Sequence, residues 1–328
     1  MFEHVMHAEG SKDASTGRPT LDAKDLELIQ LLRDAPRSQN RTLAKQLGVS
    51  APTLLSRLRR LTQSGACELR LQRDFKQMGY AHLVSVEIDV SDRAQEDVAA
   101  DLAQIPEVLA ILGFLEGPTL SMQMIVRSPA HLRDIIKDQL ADIAGIQRVR
   151  SNLSLKIHRY SNVFSEPGFG SYPSLSNDAL ENDFDAFDEE VLELLRTNGK
   201  LSNREVAKQL GTNEHKVRRR LTNLLDGKAA IFNYLVSPVA VGAGVWAYLR
   251  VAAEPAKQDS VLKTLLQSEN CVSICETAGE WGFLGWVVFQ DVDELRDFAE
   301  KLKAKSIAVS ARVVDRVFKH NCDYARVL

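Results

Sequence analysis

The chain repeats itself, and the repeat decides what it can fold into. Residues 21–48, LDAKDLELIQLLRDAPRSQNRTLAKQLG, lie over residues 184–211, FDAFDEEVLELLRTNGKLSNREVAKQLG, without a gap. The offset is 163 residues. It pairs Asp22 with Asp185, Asp25 with Asp188, Leu31-Leu32-Arg33 with Leu194-Leu195-Arg196, and Ala44-Lys45-Gln46-Leu47-Gly48 with an identical run at 207–211. The same offset still relates Gly79 to Gly242 and Leu132-Arg133-Asp134 to Leu295-Arg296-Asp297. A register kept over that distance marks a tandem duplication, so any architecture proposed for one copy must be built twice. The 328 residues then divide into a leader (1–20), a first copy (21–75 and 76–160), a Ser-, Asn-, Gly- and Pro-rich linker (161–183) and a second copy (184–238 and 239–321).

The first third of each copy reads as three short helices. Leu28, Leu31 and Leu32 recur at helical spacing behind Asp22, a candidate N-cap, and Pro36 ends that helix. Leu43, Ala44 and Leu47 mark a second helix. Gly48-Val49-Ser50 then makes a tight turn in which Ser50 caps a third helix, with Pro52 in its first turn. Leu54, Leu58 and Leu61 form the inward seam of that helix. Copy two repeats the pattern with Val206, Ala207 and Leu210, a turn at Gly211-Thr212-Asn213, and a seam of Val217, Leu221 and Leu224. Two helices joined by a glycine-containing turn of about three residues place the second helix in a DNA major groove.

Opposite the first seam stand Pro52, Ser56, Arg59, Arg60 and Gln63, with Arg57 at its edge. The matching face in copy two carries His215, Arg219, Thr222 and Asn223, flanked by Lys216 and Arg218, with Arg220 at the edge. Arginine reads guanine bidentately or neutralises phosphate, so these are the candidate DNA-binding residues. Arg57 and Arg220 are equally placed to contact phosphate or to pair with acids of the first helix such as Glu27 or Glu190. Leu55 is placed either to pack on a following strand or to touch a thymine methyl. The formal net charge is −3, which excludes a uniformly basic, histone-like protein but not a local basic face.

Behind each helical unit comes a short strand, 66–75 and 229–238, and then a six-element pattern. In copy one it is strand 80–90, helix 93–104, strands 108–116 and 119–128, helix 130–141 and strand 146–160. In copy two it is strand 243–253, helix 256–267, strands 271–277 and 282–289, helix 292–303 and strand 306–319. The order βαββαβ predicts an α+β chain: two copies of a winged helix-turn-helix followed by a ferredoxin-like sandwich. One face of each sheet takes the helices. The other face, still apolar in alternation, predicts a partner, either the other copy or a second chain.

The helix-turn-helix reading LDAKDLELIQLLR…LAKQLGVSAPTLLSRLRRLTQSG, followed by βαββαβ, resembles the Lrp/AsnC family of feast/famine transcriptional regulators, over nearly the whole chain and twice. The resemblance implies binding to double-stranded DNA, an amino acid or another small-molecule effector held at the C-terminal modules, and dimers or higher homo-oligomers. It also implies a prokaryotic, nucleoid-associated protein. Family members commonly carry one copy, so two copies in one chain predict an intrachain pseudo-dimer. Their effector loop commonly reads glycine, two residues, aspartate. Here copy two reads Thr277-Ala278-Gly279-Glu280-Trp281-Gly282, with Gly282 in place of the acid, and copy one reads Glu116-Gly117-Pro118-Thr119. Glu116, Gly117, Thr119, Gly279, Glu280 and Gly282 are therefore the candidate effector residues, with an effector other than an amino acid, or none, left open by the missing acid.

No catalytic motif accompanies this pattern: there is no phosphate-cradling glycine loop and no nucleophile elbow. Cys67, Cys271, Cys275 and Cys322 are too scattered for a disulfide framework and point to a reducing, cytoplasmic compartment. Cys271 and Cys275, read as one face of a strand, suit core packing, and no metal site is expected from them with His320 and Cys322. No apolar run reaches a membrane span, so no membrane partner is expected, and no cofactor is expected. Two alternatives share the architecture. One is a tetrapyrrole enzyme resembling the siroheme decarboxylases, for which His82, His131 and His158 are the histidines of the first βαββαβ module. The other is a sensor that has ceased to bind DNA.

Overall fold

The computed structural model describes residues 21–159, 185–227, 229–236, 244–320 and 324–325. The leader, the linker, Lys228 and Cys322 lie outside the described residues. Each half begins with the three expected helices: α1 (Ala23–Asp34), α2 (Asn40–Leu47) and α3 (Ala51–Gln63) in the first. Their counterparts are α6 (Ala186–Thr197), α7 (Asn203–Gln209) and α8 (Glu214–Asp226) in the second, α4 and α5 belonging to the first βαββαβ module. Asp22 and Asp185 cap α1 and α6 in reciprocal capping boxes with Asp25 and Asp188. Ser50 and Asn213 cap α3 and α8 by accepting the backbone N–H of Thr53 and Lys216. Gly48 ends α2 with φ 69°, a left-handed conformation that suits glycine at the head of the turn.

The strands that follow, β1 (Cys67–Asp74) and β6 (Ala230–Val236), do not fold back as wings on their own helices. They pair antiparallel with each other, Cys67 opposite Val236 and Arg73 opposite Ala230. Arg70 faces its own counterpart, Asn233, so the register is symmetric under the 163-residue offset. A local two-fold therefore relates the two helix-turn-helix units. One continuous apolar core serves both, with Leu28, Leu54 and Leu61 from the first half and Val191, Val217 and Phe232 from the second. A short strand, β11 (Tyr324–Ala325), adds parallel to β1.

The βαββαβ elements form in both halves. In the first they are β2 (His82–Val90), α4 (Gln95–Leu102), β3 (Val108–Phe114), β4 (Thr119–Val126), α5 (Pro129–Ile135, continued by a π-helical turn to Leu140) and β5 (Ile146–Arg159). In the second they are β7 (Val245–Ala252), α9 (Gln258–Gln267), β8 (Cys271–Thr277), β9 (Phe283–Phe289), α10 (Val292–Lys303) and β10 (Ala308–His320). The two sheets do not remain separate sandwiches. Strand β5 pairs with β2 through its first part and with β8 of the other half through its last. Strand β10 likewise pairs with β7 and then with β3. The result is one closed eight-stranded barrel, β10-β3-β4-β2-β5-β8-β9-β7. Closure pairs the terminal strands of both sheets, which would otherwise be left as open edges. The bare sheet faces expected to need a partner find each other inside the chain.

Alternation sorts the side chains. Val84, Val86 and Ile88 pack outward with Val98 and Leu102 of α4, whereas Leu83 points inward with Ile125 and Cys275. Cys271 and Cys275 do not share a face. A bulge between Cys271 and Ser273 sends Cys271 to the helix-side core and Cys275 into the barrel. Burial pushes both thiols up, to about 12 and about 11 respectively, which makes them poor nucleophiles and ligands. The same bulge brings a Cβ built at Gly285 to 2.2 Å from the Ser273 carbonyl oxygen. Gly285→Ala is expected to lower stability by about 1–3 kcal/mol through overpacking, read as a reduced melting temperature; an unchanged melting temperature would contradict this packing.

Candidate nucleic-acid interface

Helix α3 buries Leu54 and Leu61 fully, so its opposite face must meet solvent. That face is an open surface lined by Pro52, Leu55, Ser56, Arg59, Arg60, Gln63 and Ser64. Leu55 is 41% exposed among these polar neighbours. On α8, His215, Lys216, Arg218, Arg219, Thr222 and Asn223 are exposed around the buried Val217, Leu221 and Leu224. The Lys216 ammonium stands 3.9 Å over the Phe187 ring, which orients it without neutralising it.

The candidate arginines separate into two groups. Arg57 donates to both Asp22 oxygens and to Asp25, and Arg60 bonds the other Asp25 oxygen. Arg220 clamps Asp188 and Asp185 in the same way. The pairing is with acids of the first helix and its cap, and these are the capping-box aspartates rather than Glu27 or Glu190. Asp25 is fully buried and Asp188 nearly so, and a buried carboxylate requires such cations. Arg57 and Arg220 thus tie the recognition helix of each half to its first helix and have little left for DNA. Arg60 is shared, its side chain half exposed although paired. Among the described residues no carboxylate pairs with Arg59, Arg218 or Arg219, and these carry the outward charge.

The clamp has a pH signature. The Arg57 guanidinium holds the Asp22 carboxyl below its usual range, and the Asp188 backbone N–H does the same for Asp185, aided by Arg220. A folded value below the unfolded one stabilises at pH above about 4 and is lost as pH falls through the folded value. An Asp22→Asn/Asp185→Asn variant keeps the caps and removes the charges. It is expected to melt below the wild type at pH 6, with the gap closing as pH falls below the ordinary carboxylate value of about 4 and through the lowered folded values. A gap independent of pH would contradict the assignment.

The expected effector residues fall at one mouth of the barrel, on the β3–β4 and β8–β9 hairpins. Glu116 reaches Arg312, whose guanidinium stacks 4.1 Å from the Phe114 ring and donates to the Glu116 carbonyl. Gly117 sits exposed in its turn with φ 75°, and Thr119 donates to Asp89. Gly279 and Glu280 are exposed, and the Gly282 carbonyl closes its hairpin by accepting from Thr277 N–H. The sequence reading missed what lies beneath: Glu87, nearly buried, bound by Arg250 at 2.9 Å and by Arg150 at 3.3 Å, with Arg312 4.0 Å away. The signal was present in β2, where Ser85, Glu87 and Asp89 alternate with apolar residues on the face turned from the helices. Among the described residues no group of His, Cys, Asp and Glu could hold a metal, and no helix is long and apolar enough to cross a membrane.

Three family models match: a winged helix-turn-helix DNA-binding model over 21–66, an AsnC-type helix-turn-helix domain over 184–225, and an Lrp/AsnC ligand binding domain over 83–164. An HTH-type transcriptional regulator of Pyrococcus abyssi is 28% identical over 156 residues, 46% of this chain and 98% of that protein. The HTH-type transcriptional regulator Ptr1 of Methanocaldococcus jannaschii is 30% identical over 120 residues, 36% of this chain and 81% of its own length. Each relative thus corresponds to about one copy of the duplication. Among solved structures, the siroheme decarboxylase NirDL superposes with a TM-score of 0.65 at 13% identity, covering 91% of this chain and 93% of that one. That likeness is one of fold, and it extends over both copies together.

Proposed function

The chain belongs to the Lrp/AsnC family of helix-turn-helix transcriptional regulators, and from that premise we propose that it binds one DNA duplex through both of its recognition helices at once. The observation that carries this is the pair of outward cationic faces, Arg59 on α3 and Arg218 and Arg219 on α8, set on helix-turn-helix units that a symmetric β1–β6 pair relates by a local two-fold. Such a dyad suits half-sites one helical turn apart, about 34–36 Å, or a multiple of it. The faces themselves differ, Ser56, Arg59 and Arg60 against His215, Arg219 and Asn223, so the half-sites differ too and the operator is not a strict palindrome. Phosphate contacts supply affinity and the exposed arginines, His215 and Asn223 supply base reading.

The barrel mouth is the place for an effector. Glu116, Gly117 and Thr119 contribute from one hairpin and Gly279, Glu280 and Gly282 from the other, with Arg312 joining the halves beneath them. The missing hairpin acid argues against the ammonium group of an amino acid as the main contact there.

Footprinting of the purified protein across its genome, with and without amino acids, tests both readings. Two protected segments on one face of the duplex, changed by an effector, are expected. No protection above non-specific binding would overturn the first reading. The whole-chain fold shared with a siroheme decarboxylase makes a second readout worthwhile: a visible absorption band travelling with the purified chain would favour tetrapyrrole chemistry, and its absence together with a footprint favours regulation.

A further inference from the structure

The duplication permits a comparison between what the barrel contains and what a symmetric barrel would contain. The 163-residue offset holds through β7, β8 and β9, and three residues fewer separate β5 from β10. This follows from the pairing of Phe114 with Val314 and of Thr277 with Ser154. By this correspondence Glu87 of the first half is the counterpart of Arg250 of the second. The two meet across the barrel at 2.9 Å. Around them the halves differ again. Arg150, which binds Glu87 and Asp89, answers to Ser310, which accepts from Arg250. Arg312, which binds Glu116, answers to Asn152, which lies against Gly279.

The helical units show the same division. Arg73 of β1 makes a bidentate pair with Glu189 of α6 at 2.8 and 2.9 Å. Its mirror image would be Val236 against Leu26. Every one of these interactions is therefore made once and not twice.

We propose that the two halves are charge-keyed to each other, so that the barrel closes between a first half and a second half and rejects two copies of either. Two second halves would bring Arg250 against Arg250 in an interior that also holds two copies of Arg312, with no carboxylate of β2 to balance them. Two first halves would set Glu87 against Glu87, each left with only the Arg150 of its own half in place of the closer Arg250, and would leave Arg73 facing Leu26. Enclosed like charges lacking partners are among the most destabilising arrangements a fold can contain. A chain built this way carries the complement of each half within itself.

The full chain tests this with Glu87→Arg, Arg250→Glu, the swap Glu87→Arg/Arg250→Glu, and the milder Glu87→Gln, each followed by thermal melting and by size-exclusion chromatography with light scattering. Each reversal is expected to lower the melting temperature by about 10 °C or to leave no soluble single species. The swap restores the pair across the barrel but sets a cation beside Arg150 and Arg312, so it is expected to recover part of that loss, and Glu87→Gln to fall between wild type and reversal. A reversal or Glu87→Gln that melts like wild type would overturn the proposal. So would a swap that melts no higher than the reversals, or that yields no soluble chain. None of these outcomes depends on DNA binding, so the function proposed above can fail separately.

Discussion

Replacing Arg59, Arg218 and Arg219 together by alanine is expected to weaken binding to duplex DNA by about 100-fold or more at moderate salt and to flatten its salt dependence. The three guanidinium groups are exposed on the faces opposite Leu54/Leu61 and Val217/Leu221, and no carboxylate among the described residues neutralises them. Each phosphate no longer neutralised takes about 0.9 from the slope of log affinity against log salt, so the slope should fall by up to ~2.7. Arg57→Ala and Arg220→Ala should act differently. Those side chains hold Asp22, Asp25, Asp185 and Asp188, so their removal lowers stability before it lowers the salt slope. Fluorescence anisotropy over a series of salt concentrations distinguishes the two groups. An unchanged slope in the triple variant would remove α3 and α8 from the interface.

The second large effect concerns stability. Asp25→Ala, or Asp188→Ala in the other half, is expected to cost about 3–5 kcal/mol, because removal of one member of a buried ion pair leaves the other uncompensated. Asp25 has 0% exposure and receives both Arg57 and Arg60, while also closing the capping box with Asp22. Both helical units share a single core, so the loss should appear as cooperative melting of the pair rather than of one unit. Chemical denaturation followed by far-ultraviolet circular dichroism measures it. A loss under about 1 kcal/mol would show that the clamp is an ordinary surface interaction.

Local rules made the helical third legible. Asp22, Ser50 and Asn213 cap the helices that their positions suggested, and the leucine seams are buried, because capping and helical periodicity act within one or two turns of chain. The β-elements were equally visible as alternation. What stayed hidden was set by residues distant in sequence or by single-residue irregularities. Arg57 and Arg220 lie on the edge of an exposed face where phosphate and a first-helix acid are both within reach, and nothing local says that a capping-box aspartate 32 residues earlier is the one that claims them. Cys271 and Cys275 would share a face in a regular strand, and one bulge separates them. The sheets' unpartnered faces predicted that something must cover them, but closure into a barrel depends on β5 and β10 being long enough to serve two sheets each. The charge key at Glu87 and Arg250 appears only when the halves are superposed on the register the structure gives.

Selection of bound sequences from a random duplex pool, run with the wild type, with Arg59→Ala, and with Arg218→Ala/Arg219→Ala, reads the two recognition helices separately. Two recognition helices on one chain should select a bipartite motif of two unlike elements separated by one or two helical turns, in which the first variant relaxes one element and the second variant the other. A single element, a perfect palindrome, or equal relaxation of both elements by either variant would contradict it.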